Sequence, residues 1–161
     1  MSLLLNGAKT VTIAGTEMQC IEIYTGEAYT LPFLFTDSNG NPINITGWTL
    51  SVTAKWYTCD IAYVDEINNI INISNLVLDS PQPQVPAGLV AAATVPASGQ
   101  GYIFLPTALS GGVGSPPTPT PTVADTDSIL CIVTLSVSRT DPISSYVDVN
   151  REPIGLIIRY Q

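Results

Sequence analysis

The chain has no histidine, and among its 161 residues Lys and Arg together number only 5. Without histidine, the commonest general base and the commonest zinc ligand are missing, and a His-dependent catalytic triad is excluded. The shortage of cations against 13 acidic residues gives a formal net charge of −8. A phosphate backbone or an anionic lipid surface would be repelled, because both are bound through basic groups, so neither a nucleic acid nor a membrane is expected as a partner. The three cysteines, Cys20, Cys59 and Cys131, are far apart and form no C-x-x-C pair. That leaves no zinc ribbon and no dithiol redox motif, and the thiols are expected to be reduced and buried. The longest apolar stretch, "AGLVAAATVPASG" at 87–99, is broken by Pro96 and too short to cross a bilayer. The opening "MSLLLNGAKTV" lacks the basic start and long apolar run of a secretory signal.

Charged residues make up 11% of the chain and hydrophobic ones 45%. Such a composition can bury a real core and is not that of a disordered chain. The charged share is well below the roughly 25% of an ordinary soluble domain. Together with the positive mean hydropathy, it implies a surface partly covered by neighbouring subunits.

Period-two alternation dominates, and no long window carries a helical stripe. In "WTLSVTAKW" the residues Trp48, Leu50, Val52, Ala54 and Trp56 share one face, and Thr49, Ser51, Thr53 and Lys55 the other. In "LCIVTLSVS", Cys131, Val133, Leu135 and Val137 alternate in the same way. In "LPFLF", Leu31, Phe33 and Phe35 share a face, and Pro32 predicts an edge strand or a strand start. Further strands are predicted at 10–14, 19–24, 69–74, 101–105 and 153–160, all rich in Val, Ile, Thr or Tyr. "TALSGG" has room for one helical turn before Gly111. The pattern predicts one all-β domain over 1–161, an antiparallel β-sandwich of about eight strands. The irregular 80–127 region interrupts it as a long Pro/Gly/Ala-rich insertion or arm. There, Pro116, Pro117, Pro119 and Pro121 favour extended polyproline II. The arm has few apolar anchors of its own, so it is expected to lean on a neighbouring chain, with Val123 joining those prolines as interface residues.

No motif supplies catalysis. There is no G-x-S-x-G, "SGGVG" lacks the lysine and helix of a phosphate loop, and Lys55 falls on the solvent face of its strand. The grouped acids (Asp60 with Asp65 and Glu66, Asp125 with Asp127, then Asp141 and Asp148) are expected as solvated loop carboxylates. "DSNGN" at 37–41 departs from the calcium-loop pattern, lacking its distal glutamate. No metal or cofactor is expected. The sequons at Asn44 and Asn72 have no secretory signal beside them. Sugar stacking would need exposed aromatics. Trp48 and Trp56 share the predicted inward face, which leaves Tyr57 as the surface candidate.

The segment at 29–56, "YTLPFLFTDSNGNPINITGWTLSVTAKW", resembles the N-terminal Ig-like β-sandwich of phage tail and baseplate proteins, the class of baseplate upper proteins and fibre-attachment domains. An aromatic–apolar strand carries Phe33 and Phe35. A D-x-x-G-x-P-I turn follows with Asp37, Gly40, Pro42 and Ile43. The corner is Asn44, Ile45, Thr46 and Gly47, and Trp48 opens the long alternating strand. The resemblance implies an Ig-like sandwich and a non-enzymatic virion structural protein assembled in the host cytoplasm. Such a protein acts as a tail, baseplate or tail-fibre adaptor, with other virion proteins and symmetry-related copies of itself as partners. The 80–127 region lies outside the family's pattern, and the chain leaves no room for a fibre shaft or a receptor-binding head. Two other readings stay open: a capsid decoration or cement protein, and a carbohydrate-binding module.

Overall fold

The computed structural model describes residues 1–65, 70–110, 128–140, 142–145 and 147–159. Ten strands account for nearly all of its regular structure: β1 (Ser2–Leu5), β2 (Lys9–Ile13), β3 (Thr16–Tyr24), β4 (Tyr29–Thr36), β5 (Thr49–Asp65), β6 (Ile70–Leu78), β7 (Val90–Val95), β8 (Gln100–Leu105), β9 (Ser128–Thr140) and β10 (Val147–Arg159). Among the described residues the helical content is a 3-10 turn at Pro96–Ser98 and one short helix, α1 (Thr107–Ser110), at the place where the sequence has room for a single turn. The strand count exceeds the predicted eight by β1 and β7. β1 is four residues long, and the alanines of β7 carry little strand propensity.

The strands form two layers. A four-stranded antiparallel sheet runs β1-β4-β8-β7, and six strands close on themselves in the order β10-β3-β2-β6-β5-β9. The fold is therefore an all-β sandwich in which one layer is curled into a barrel. Its pairing is not purely antiparallel. β10 runs parallel to β3, with Ile154 opposite Gln19 and Arg159 opposite Tyr24, and a short parallel contact joins β2 to β6. Strands joined by a tight turn must run antiparallel, whereas those brought together through long connections are free of that constraint.

Two apolar clusters follow from this closure. The larger lies between the layers. It takes Leu31, Phe33, Phe35, Ile103 and Leu105 from the four-stranded sheet, and Trp56, Cys131, Leu135, Ile154 and Leu156 from the barrel. Phe33 and Phe35 meet edge to face, with centroids 5.3 Å apart, a favoured aromatic geometry. The smaller cluster fills the barrel with Val11, Ile13, Cys59, Ile61, Ile73, Leu130 and Ile157. β5 serves both: Ala54 and Trp56 face the sandwich, and Cys59 and Ile61 face the barrel. β10 is buried continuously from Ile154 to Ile158, as a strand covered on both faces must be.

Two side chains sit differently from expectation. Pro32 lies in β4, an inner strand of its sheet between β1 and β8. The position tolerates proline because the β1–β4 pairing stops at Phe33, and Pro32 shows its N–H-less side past the end of β1. There the Asn6 N–H donates to the Pro32 carbonyl at 3.5 Å. Trp48 precedes β5 and is only half-buried, although it packs on the same cluster as the fully buried Trp56.

Candidate functional site

The segment at 36–48 forms a turn and a corner held by its own polar groups. Asp37 organises the turn. Its Oδ1 accepts the backbone N–H groups of Asn39 and Asn41, both at 2.9 Å. Its own N–H donates to the Asn41 carbonyl at 2.9 Å, and Gly40 N–H donates to the Asp37 carbonyl at 3.1 Å. The Asn41 N–H, helped by that of Asn39, holds the Asp37 carboxyl below its ordinary range, because these donors favour the charged form. The turn ends where Pro42 bridges back to Thr36.

The corner repeats the device on a smaller scale. The Asn44 Oδ1 accepts the Thr46 N–H at 2.9 Å, and Trp48 N–H donates to the Ile45 carbonyl at 3.0 Å. Gly47 has φ +78 at the third position of this turn, where a type II turn requires a positive φ. Pro42 and Thr46 are exposed, so the turn motif shows solvent its polar side, while Ile45 is buried in the core. Trp48 is covered by the Arg139 guanidinium, 4.9 Å from the ring centroid. Arg139 in turn pairs with Asp148 across the β9–β10 hairpin at 3.5 Å, an exposed and therefore weak ion pair.

What fixes this segment to the sandwich comes from elsewhere in the chain. Gly99 has φ +68, and its carbonyl accepts the Phe35 N–H at 2.9 Å. Ile43 N–H donates to the Phe35 carbonyl at 3.0 Å, and Ile45 N–H to the Pro96 carbonyl at 2.8 Å. The corner is thus stitched to the 3-10 turn that leads into β8.

Strand edges are the other feature of use to an assembling protein, and two glutamines close parts of them. Gln19 in β3 reaches the outer edge of β1, accepting the Leu5 N–H at 3.2 Å and donating to the Leu3 carbonyl at 2.6 Å. Gln82 accepts the Trp56 N–H and donates to the Trp56 carbonyl, both at 2.9 Å. Each carboxamide has the donor and acceptor of a backbone unit, so each acts as a one-residue strand. Sequence reasoning missed both, because no local pattern marks such a glutamine. The outer edge of β7 has no strand beside it among the described residues. The arm residues Pro116, Pro117, Pro119, Pro121 and Val123 lie outside the described residues.

The remaining chemistry is sparse. Among the described residues, no group of three or more His, Cys, Asp or Glu is arranged to hold a metal ion. No helix is long and apolar enough to cross a membrane. Lys55 is exposed, as its strand position predicts. Tyr57 is half-buried against the barrel cluster, whereas Trp48 packs on the sandwich cluster, so the two do not share a face.

All three cysteines are free and buried. Burial pushes the Cys20 thiol up to about 12 and Cys59 to about 11, and raises Cys131 as well. Cys20 borders a cleft of about 210 Å³ with Lys9 and Glu22, but a thiol held protonated is a poor nucleophile. The same burial predicts an alkaline instability. Unfolded thiols ionise near 9.0, while folded Cys20 and Cys59 keep their protons to about 12 and about 11. The stabilisation is whole below the unfolded value and is lost as pH rises through this window. The urea midpoint should therefore fall between about pH 8 and about pH 10. A Cys20→Ala/Cys59→Ala double variant should lose less over the same interval, and equal losses would remove the thiols as the cause.

Comparison with known proteins finds no family model that matches the chain and no curated protein that matches it.

Proposed function

We propose that the chain is a non-enzymatic structural protein of a phage particle, an adaptor in the tail, baseplate or fibre base. The observation that carries this reading is the turn and corner at 37–48, the segment on which the resemblance rests. It is built by Asp37, Asn44 and Gly47 as a rigid connection between β4 and β5. Two further features support it: an all-β sandwich whose β7 edge has no strand beside it among the described residues, and a chain poor in charge. The mechanism is assembly. A pre-folded sandwich offers backbone edges and apolar surface to its neighbours, and the Pro-rich arm at 112–123 reaches across to them.

Deleting 112–123 tests the arm. The deleted chain should stay folded and soluble but be missing from purified particles, whereas normal incorporation would remove the arm from the mechanism. Locating the chain on the particle decides between adaptor and capsid cement. A signal confined to the head at high copy number would favour cement.

A further inference from the structure

The four-stranded sheet contains no charged residue. The sequences of β1, β4, β7 and β8 are SLLL, YTLPFLFT, VAAATV and QGYIFL. The strands of the barrel, by contrast, carry Lys9, Glu17, Glu22, Lys55, Asp60, Arg139, Asp148, Arg151, Glu152 and Arg159 among others. The inner face of the four-stranded sheet supplies the core. Its outer face would ordinarily be polar, since an antiparallel sheet with one wet side alternates apolar-in with polar-out.

Here the outer face is mostly apolar. The register lines up three rows across the sheet: Leu4 with Leu34 and Gln100, Pro32 with Tyr102 and Ala92, and Thr30 with Phe104 and Val90. Leu4 is 51% exposed and Val90 44%, at opposite borders of the sheet. Leu4, Thr30, Pro32, Val90 and Gln100 are exposed on these rows, and Leu34, Ala92, Tyr102 and Phe104 are half-buried. A shallow groove of about 390 Å³ runs along part of the face, floored by Leu4, Pro32 and Leu34.

We propose that this outer face is the surface on which a second copy of the chain docks, sheet face against sheet face. The distribution of charge selects the occupant. A chain with net charge −8 repels its own copies over most approaches. A twofold pairing of the uncharged faces sets both barrels, whose strands carry all of the strand charge among the described residues, on the outside and as far apart as the sandwich allows. The face has no charge with which to recognise an acidic or basic partner, and an identical uncharged face meets it without an unpaired charge. Two such faces can pack at about the 10 Å spacing of stacked sheets, with Tyr102 and Phe104 near the middle. Strand spacing gives the face an area on the order of 300 Å² per copy, well below the roughly 800 Å² per partner of a standard interface. The dimer is therefore concentration-dependent. This inference does not rest on the virion reading.

Sedimentation velocity across a concentration series tests it, using the full chain. The wild type should shift from monomer to dimer as concentration rises, and added salt should strengthen the dimer by screening the net charge. Leu4→Glu and Val90→Glu, made separately, each place a carboxylate at one border of the face. Each should remain monomeric throughout, with unchanged circular dichroism and melting temperature. Thr53→Glu, an exposed position on the barrel, should dimerise like the wild type. The chain lacking 112–123 should also dimerise, which separates this surface from the arm. A wild type that stays monomeric to its solubility limit would overturn the proposal, as would folded Leu4→Glu and Val90→Glu chains that dimerise normally. Loss of the dimer on deleting 112–123 would also overturn it, by assigning the contact to the arm.

Discussion

Trp56→Ala should cost the fold about 3–5 kcal/mol, the range for removing a buried tryptophan. Trp56 is fully buried, and it belongs to the cluster that joins the two layers, so its removal opens a cavity where neither sheet is free to collapse. For a chain of this size, a melting temperature lower by on the order of 10 °C follows. Trp56→Phe makes the instructive partner. Among the described residues the buried indole Nε1 has no hydrogen-bond acceptor, and an unpaired buried donor is itself a cost. Phenylalanine keeps much of the ring and removes that donor, so its loss should be well under half that of alanine. Urea denaturation of the two variants checks the pair. Equal losses would mean that packing volume is not what Trp56 contributes.

Gly99→Ala should cost roughly 2–4 kcal/mol, by two separable routes. About 1–2 kcal/mol comes from placing a side chain at φ +68. The rest is steric. A Cβ there would lie 2.7 Å from the Ile43 carbonyl oxygen and 2.7 Å from that of Phe35, both backbone atoms, and overpacking of this kind costs about 1–3 kcal/mol. Gly47→Ala separates the two contributions. Gly47 has φ +78, but nothing lies within 4 Å of its Cβ position, so it should show only the conformational part. Thermal melts of the two variants should therefore differ, and melting temperatures lowered equally would show that the carbonyls yield.

The strands that alternate cleanly were legible in the sequence, and for a physical reason. The inward set of β9, Cys131, Val133, Leu135 and Val137, faces a single cluster over its length, so its period of two is written in the residues. β5 was legible only as far as Trp56, because beyond it the buried face changes sides as the strand leaves the sandwich for the barrel. β7 was hidden by its alanines. It is recognisable as a strand only through its pairing with β8.

The turn at Asp37 and the corner at Asn44 were readable because their hydrogen bonds join residues a few positions apart. The partners that anchor them were not. Nothing near Gly99 announces that it will sit against Phe35 and Ile43, and nothing near Gln19 or Gln82 announces a strand edge. These are consequences of closure, and closure is set by the whole chain.

That closure has a bearing on synthesis. The barrel is completed by β10 lying along β3, with Ile154 against Gln19 and Arg159 against Tyr24. A ribosome making this chain has released β3 long before β10 exists, so β3 must wait with one edge unpaired while the rest is translated. Long-range parallel pairing of this kind is slow, and exposed edges are where nascent chains go astray. Glu22, near the C-terminal end of β3 and ion-paired with Arg159 in the closed barrel, places a charge on that waiting strand. During translation it guards an edge against foreign strands, and once Arg159 arrives it helps to hold the barrel shut.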